Sequence, residues 1–282
     1  SMSAVGSVAG ADLGADAVTI SLGHHSHTRV ALTGHGVPAD SSWFEGVPSP
    51  ESVVAGWKSI VDRAGRFELP PGASGSSLAE SVIAARCAWL LGDLADADDD
   101  PVSALLEWDQ LCRMGERPEL LIDDVALAAE SVARQQLPGL KMALDAAERV
   151  FRRADELRAA DDVREIRERS SAVAAASNDS LATAVRQFEE QLVAPVGDSA
   201  DILATGISSE WSLQPIEVFH LPGSATATVS YAIRWHGLRP AIVWEVEDDA
   251  LTLRCPVLDE NWQSREAKGE ALLAHTAEIS ET

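Results

Sequence analysis

Carboxylates are the residues most able to do chemistry in this chain, because it holds 45 Asp plus Glu against 22 Lys plus Arg. Glycoside hydrolysis needs two of them, one protonated and one ionised, across the scissile bond. Glu107 and Asp109 flank Trp108, and Asp123-Asp124 open a predicted helix. Consecutive helix positions point about 100° apart, so neither is a self-evident pair. The sequence reads them as helix caps and solvated faces, with Glu107 and Asp124 the acids a hydrolase would draw on. Asp96, Asp98 and Asp100 fall at the first, third and fifth positions of a calcium loop, and Glu107 at the twelfth. The sixth position, which requires glycine, is Pro101, so the run reads instead as a helix-capping loop.

Histidines and tryptophans give the other candidates. His24, His25, His27 and His35 crowd the first part of a chain that has seven histidines in all. Neutral imidazoles at short spacing bind zinc, nickel or copper, which makes His25, His27 and His35 the candidate metal ligands. A polar turn rich in histidine accounts for the same residues without a metal. Eight tryptophans outnumber five Phe and one Tyr. An indole face stacks on a sugar ring and its N–H donates a hydrogen bond, so Trp211, Trp244 and Trp262 could line a saccharide groove. His236 is a further ligand candidate, although His236-Gly237 reads first as a turn. Trp57, Trp89 and Trp235 fall on predicted buried stripes, whereas Trp211 and Trp262 fall in predicted loops and are expected to be exposed. Neither a Gly-rich phosphate loop, a nucleophile elbow nor a Cys pair is present, so no cofactor is expected.

The net charge of −23 argues against nucleic acid as a partner, since phosphate binding needs clustered Lys and Arg. An anionic membrane surface is disfavoured for the same reason. Cys87, Cys112 and Cys255 are too few and too scattered for a disulfide framework, and reduced thiols are the simplest reading. Residues 1–22 lack the basic start of a secretory signal. Apolar runs stay below the roughly 18 residues of a spanning helix. A cytoplasmic location is therefore expected.

These residues must be positioned by three stretches of different texture. Residues 1–49 alternate at Val18, Ile20 and Leu22 and again at Val30 and Leu32, which predicts a β-hairpin of 17–22 and 28–33 followed by a Gly/Pro loop. Residues 50–196 read as six or seven helices. Pro50 follows Ser49 at a helix start, Asp100 and Pro101 start another, and Gly115 suits its end. Further helices are predicted at 119–136 and 139–160, and one opens at Asn178 or Asp179. The charged face of 139–170, with Arg149, Arg152 and Arg153, reads as solvated or as a partner-docking face. Residues 197–282 alternate with period two, through 226–235, 241–247 and 251–255, as a three-stranded meander. The fold class is α+β: an antiparallel helical-hairpin array with a C-terminal antiparallel β-meander, joined by the N-terminal hairpin.

The run Glu210-Trp211-Ser212-Leu213-Gln214-Pro215-Ile216-Glu217-Val218 leads to Val229-Ser230-Tyr231-Ala232-Ile233-Arg234-Trp235-His236-Gly237 and then to Arg239-Pro240-Ala241-Ile242-Val243-Trp244-Glu245. It resembles the small β-domain that follows the catalytic toroid in bacterial α/α-barrel glycoside hydrolases of the glucoamylase-like kind. Gly56-Trp57, Arg66-Phe67-Glu68-Leu69-Pro70 and Ala84-Ala85-Arg86 look like the same enzymes' passage into their first toroid helix. The resemblance covers about a third of the chain and is to framework, with no catalytic residue to carry over. Residues 71–196 hold about half the helices of a six-hairpin toroid at ordinary helix lengths. The resemblance thus implies a contracted, non-catalytic relative that binds a saccharide or a protein partner. A small glycosidase-like hydrolase using helix-end carboxylates and a helical interaction adaptor are the alternatives.

Overall fold

Ser49 accepts a hydrogen bond from the Ser52 N–H at 3.2 Å, and Pro50 fills the first helical position behind it. The helix α1 (Pro50–Val61) thus starts where its cap signals place it. The structure is a computed structural model, and it describes residues 11–13, 18–20, 48–71, 75–170, 180–207 and 209–274. Its contacts form two units, Ser1–Gly56 and Trp57–Thr282. In the first, β1 (Ala11–Leu13) and β2 (Val18–Ile20) pair antiparallel. The described partner of residues 18–20 is therefore β1, and the predicted 28–33 arm lies outside the described residues.

In the second unit β3 (Arg66–Glu68) precedes six helices: α2 (Gly75–Leu90), α3 (Pro101–Met114), α4 (Ile122–Gln135), α5 (Leu140–Arg153), α6 (Leu157–Arg169) and α7 (Leu181–Leu192). Every residue of α3 is buried, and α2, α4, α5 and α7 all pack on it. The Asp100 carboxylate accepts from the Ser103 N–H at 3.1 Å to start α3, and Gly115, at φ 113°, ends it. The acidic run before it is thus the capping loop that its proline demanded. The predicted single helix 139–160 is corrected, because the chain turns between α5 and α6 with Asp155 at φ 61°. The α5 stripe Leu140, Ala143, Leu144, Ala147, Val150 and Phe151 is buried, but Leu157 is exposed, so continuing straight would bury nothing. Folding back lets α6 pack along α5 instead. The last helix is capped by Ser180, whose Oγ accepts from the Thr183 N–H at 3.1 Å, rather than by Asn178 or Asp179.

Two sheets follow, built from β3 together with β4 (Val193–Val196), β5 (Ser199–Ile202), β6 (Ile216–Pro222), β7 (Thr228–His236), β8 (Arg239–Glu247), β9 (Thr252–Cys255), β10 (Asp259–Ser264) and β11 (Lys268–Leu272). The five-stranded sheet is antiparallel throughout, in the order β11-β8-β7-β6-β3. Its fifth strand is β3. The four-stranded sheet runs β10-β9-β5-β4, with β5 and β9 parallel. The meander reading is corrected at its third strand. Asp248, at φ 73°, turns the chain out of the sheet so that β9 joins β5, and β11 takes the edge of β8 instead.

Period two places Val229, Tyr231, Ile233, Ile242, Trp244 and Val246 on the buried face. Each such large side chain contributes about 1.5–3 kcal/mol by leaving water. The Tyr231 hydroxyl donates to the Leu192 carbonyl at 3.1 Å, and Phe67 on β3 meets Phe188 on α7 edge-to-face at 5.3 Å. These contacts tie the sheet to the helices. The α+β class stands, with seven helices and two sheets of four and five strands among the described residues of the chain outside the N-terminal pair.

Candidate functional site

The acids nearest an aromatic prove to be framework. Glu107 is buried, accepts from the Ala95 N–H at 2.7 Å and is hydrogen-bonded by Trp89. Burial raises its pKa above the usual carboxylate value. Asp109, two residues on and on the opposite face of α3, is gripped by the Arg149 guanidinium at 2.9–3.1 Å, with Arg113 at 3.5 Å. Burial alone would push the Asp109 carboxyl up, but Arg149 and Arg113 outweigh it and hold it down to about 2. The reading of Glu107 and Asp109 as solvated faces is corrected: both are sealed in the helical layer. Asp123 and Asp124 are exposed in the first turn of α4, as helix-dipole acids should be.

Glu189 on α7 forms a second buried centre. Its carboxylate accepts from Arg86 at 2.8 Å, Gln110 at 2.9 Å and Arg113 at 2.8 and 2.9 Å. Arg86 also donates to the Val61, Ala64 and Gly65 carbonyls, so it staples α2 to the segment before β3. Burial raises the Glu189 pKa, and Arg113, Arg86 and Arg186 more than reverse that.

The aromatic candidates are mostly packed away. Trp211 is only 8% exposed and Trp244 only 5%, which corrects the expectation that Trp211 is a surface ring. Trp244 donates from Nε1 to the Glu266 carbonyl at 3.0 Å and meets Trp262 edge-to-face at 5.2 Å. The structure therefore brings Trp244 and the half-buried Trp262 together, without Trp211 in the pair. With both Trp244 and Trp211 covered, stacking on a sugar falls to the free part of Trp262. His236 is exposed as the last residue of β7, paired with Arg239 across the two-residue turn Gly237-Leu238. His25, His27 and His35 lie outside the described residues. Among the described residues no group of three His, Cys, Asp or Glu is placed to hold a metal.

A different arrangement is concave. Between the α5–α6 hairpin and three turns of the β-layer lies a cleft of about 580 Å³. Asp145, Glu148, Arg152 and Arg167 stand on the helical wall, and the 197–198, 224–226 and 249–251 turns form the other. It continues into a recess of about 320 Å³ that shares Arg149, Arg152 and residues 224–226 and adds Arg153, Thr228 and Asp248. Glu148, 2% exposed, is the anchor of the helical wall: it accepts from Arg152 Nε and Nη2 at 3.0 and 2.9 Å and from Arg167 at 2.9 Å.

The turn wall is as firmly set. Ser224 Oγ accepts from the Thr226 and Ala227 N–H groups at 3.1 and 2.9 Å, and Thr226 Oγ1 donates to Asp249 at 2.9 Å. A Cβ on Gly223 would meet Leu251 and Val229 at 2.5 and 2.6 Å, so only glycine lets the turn sit this close to β7 and Leu251. The Thr226 hydroxyl and the Ala250 N–H hold Asp249 below the usual carboxylate range, and Arg152 adds attraction across the cleft. The chemistry on offer is hydrogen bonding and charge, presented by two rigid walls.

No family model, curated protein or solved structure matches the chain. The residues that build the cleft were visible in sequence only as a charged helix face and as turns. Arg149 is the telling one: it shares a helix with exposed charges, yet is 3% exposed because Asp109, forty positions earlier, waits for it on α3. Nothing local signals that pairing. No described helix is long and apolar enough to cross a membrane.

Proposed function

We propose that this chain is a non-catalytic binding protein, built on a contracted glycosidase-like framework, whose ligand is a saccharide held in the cleft between α5–α6 and the β-layer turns. The observation that carries it is the pair of pre-set polar walls. Arg152, Ser224, Thr226 and Asp249 already hold their geometry through internal hydrogen bonds and line the same space, so a hydroxyl-rich ligand meets donors and acceptors that need little ordering. Glu107 and Asp109, the acids a hydrolase could have drawn from α3, are engaged with Ala95 and Arg149. That supports binding over turnover.

A panel of neutral, acidic and amino sugars tested by thermal shift against the full chain decides the matter. Stabilisation by at least one sugar, lost in Thr226→Val, is the expected result. Stabilisation by none, or sugar cleavage detected in the same samples, overturns the proposal.

The protein-partner reading has its own surface. On the outer face of the five-stranded sheet Val243 is 50% and Leu272 49% exposed, beside a shallow depression lined by Phe219, Ser230, Val243 and Lys268. If that face is the working one, Val243→Arg abolishes partner binding and leaves any sugar response intact.

A further inference from the structure

The narrow recess at one end of the cleft is electrically asymmetric. Its helical side is three arginines at the end of α5, Arg149, Arg152 and Arg153. Arg149 is fully engaged with Asp109, and Arg152 uses Nε and Nη2 on Glu148 and reaches Asp161 from Nη2 at 3.4 Å. Arg153, exposed at the rim, has no carboxylate partner among the described residues, and Arg152 keeps Nη1 free of Glu148. The facing side carries Asp248 and, just beyond it, Asp249. Their contacts are to hydroxyls and a backbone N–H, from Thr228 at 3.4 Å, Thr226 at 2.9 Å and Ala250 at 2.7 Å, and among the described residues no cation lies within ion-pair distance of either. At the wider end of the cleft Arg167 on the helical wall is paired with Asp145 and Glu148.

The unpaired positive charge of Arg153 on one wall and the unpaired negative charge of Asp248 and Asp249 on the other set up a field across the space between them. A ligand that is itself dipolar gains from both walls, while a singly charged one gains from one and is repelled by the other. We infer that the saccharide bound here carries an anionic substituent, seated on Arg153 and Arg152, and a cationic or strongly donating substituent, such as an amine, facing Asp248 and Asp249. This rests on the saccharide reading of the cleft and sharpens it to one ligand class. Such contacts are charge-assisted hydrogen bonds at a partly exposed rim, each worth about three- to tenfold in affinity.

The test is a crossed titration by calorimetry, at fixed ionic strength and a mildly acidic pH where sugar amines are protonated. The probes are glucose, glucose 6-sulfate, glucosamine and glucosamine 6-sulfate, with taurine as a dipolar ligand that is not a sugar. Fixed ionic strength matters because salt alone screens the self-repulsion of a chain of net charge −23. The expected order places glucosamine 6-sulfate tightest. Arg153→Gln removes the gain from sulfate alone, and Asp248→Asn removes the gain from the amine alone. Asn keeps the positive φ that Asp248 adopts, so the second variant leaves the turn in place.

Glucose binding as tightly as the other three sugars would overturn the inference and leave the saccharide reading standing, as would a sulfate gain that survives Arg153→Gln. Taurine binding with the same Arg153 sensitivity, in the absence of any sugar binding, would keep the dipolar recess and remove the saccharide. No binding by any of the five probes removes both.

Discussion

Two networks of arginine and carboxylate hold the helical layer, and they differ in what they leave over. Around Glu189, the donors of Arg86, Gln110 and Arg113 converge on one carboxylate that is 1% exposed. Around Glu148, Arg152 and Arg167 converge in the same way, but both guanidinium groups reach a cleft. The first network is sealed and staples α2, α3 and α7 together. The second uses its buried carboxylate to hold arginine heads at the edge of open space. Identical chemistry thus serves framework in one place and presentation in the other, and burial of the cation decides which.

The comparison breaks most violently at Glu189. Glu189→Gln leaves Arg86, Arg113 and Arg186 buried around a neutral amide, and is expected to cost about 3–5 kcal/mol, read as a lower denaturation midpoint. A loss below about 1 kcal/mol would show that this centre is no staple. Asp109 comes next, through pH. Its carboxyl is held at about 2, below the unfolded value near 3.9. Its stabilising contribution is therefore present above about pH 4 and lost as pH falls toward 2, by about 2–3 kcal/mol in all. Asp109→Asn should lose that contribution at neutral pH and flatten the acid limb of the stability curve.

The cleft's own frame is the third test. Gly223→Ala forces a Cβ against Leu251 and Val229, and overpacking of this kind costs about 1–3 kcal/mol. It should also weaken any ligand response by displacing Ser224 and Thr226, which a purely structural turn would not do. Trp262→Ala removes the edge-to-face partner of Trp244, with about 0.5–1.5 kcal/mol lost beyond the area it uncovers. The smallest effect is at Arg153, the unpaired cation beside the presenting network: Arg153→Gln should change stability by no more than about 0.5 kcal/mol while altering anion binding. A large stability loss there would show that Arg153 is framework rather than a presented cation.

Much of the frame was legible in residues that act locally. Ser49-Pro50 and Asp100-Pro101-Gly115 mark helix ends by cap chemistry, and Val229, Tyr231 and Ile233 mark a half-buried strand by alternation. The failures are tertiary. The apolar run through Leu157 could not reveal that the chain folds back at Asp155, and β9 alternates as well as any meander strand although it pairs with β5. The site was the least legible part. Arg149, Arg152 and Arg153 carry the signature of a solvated helix face; Asp109 across the packed layer fixes Arg149, and Glu148, one turn earlier on α5 and itself buried, fixes Arg152. Tryptophan count pointed toward a sugar-stacking groove, yet core packing claims Trp89, Trp211 and Trp244.

Hydrogen exchange of the full chain with and without the tightest-binding sugar tests the cleft most directly. Binding there predicts slowed exchange confined to the end of α5 and to the turns at 197–198, 223–228 and 248–251. Slowed exchange along β7, β8 and β11 instead, with those turns unchanged, would contradict the cleft and place the working surface on the outer face of the sheet.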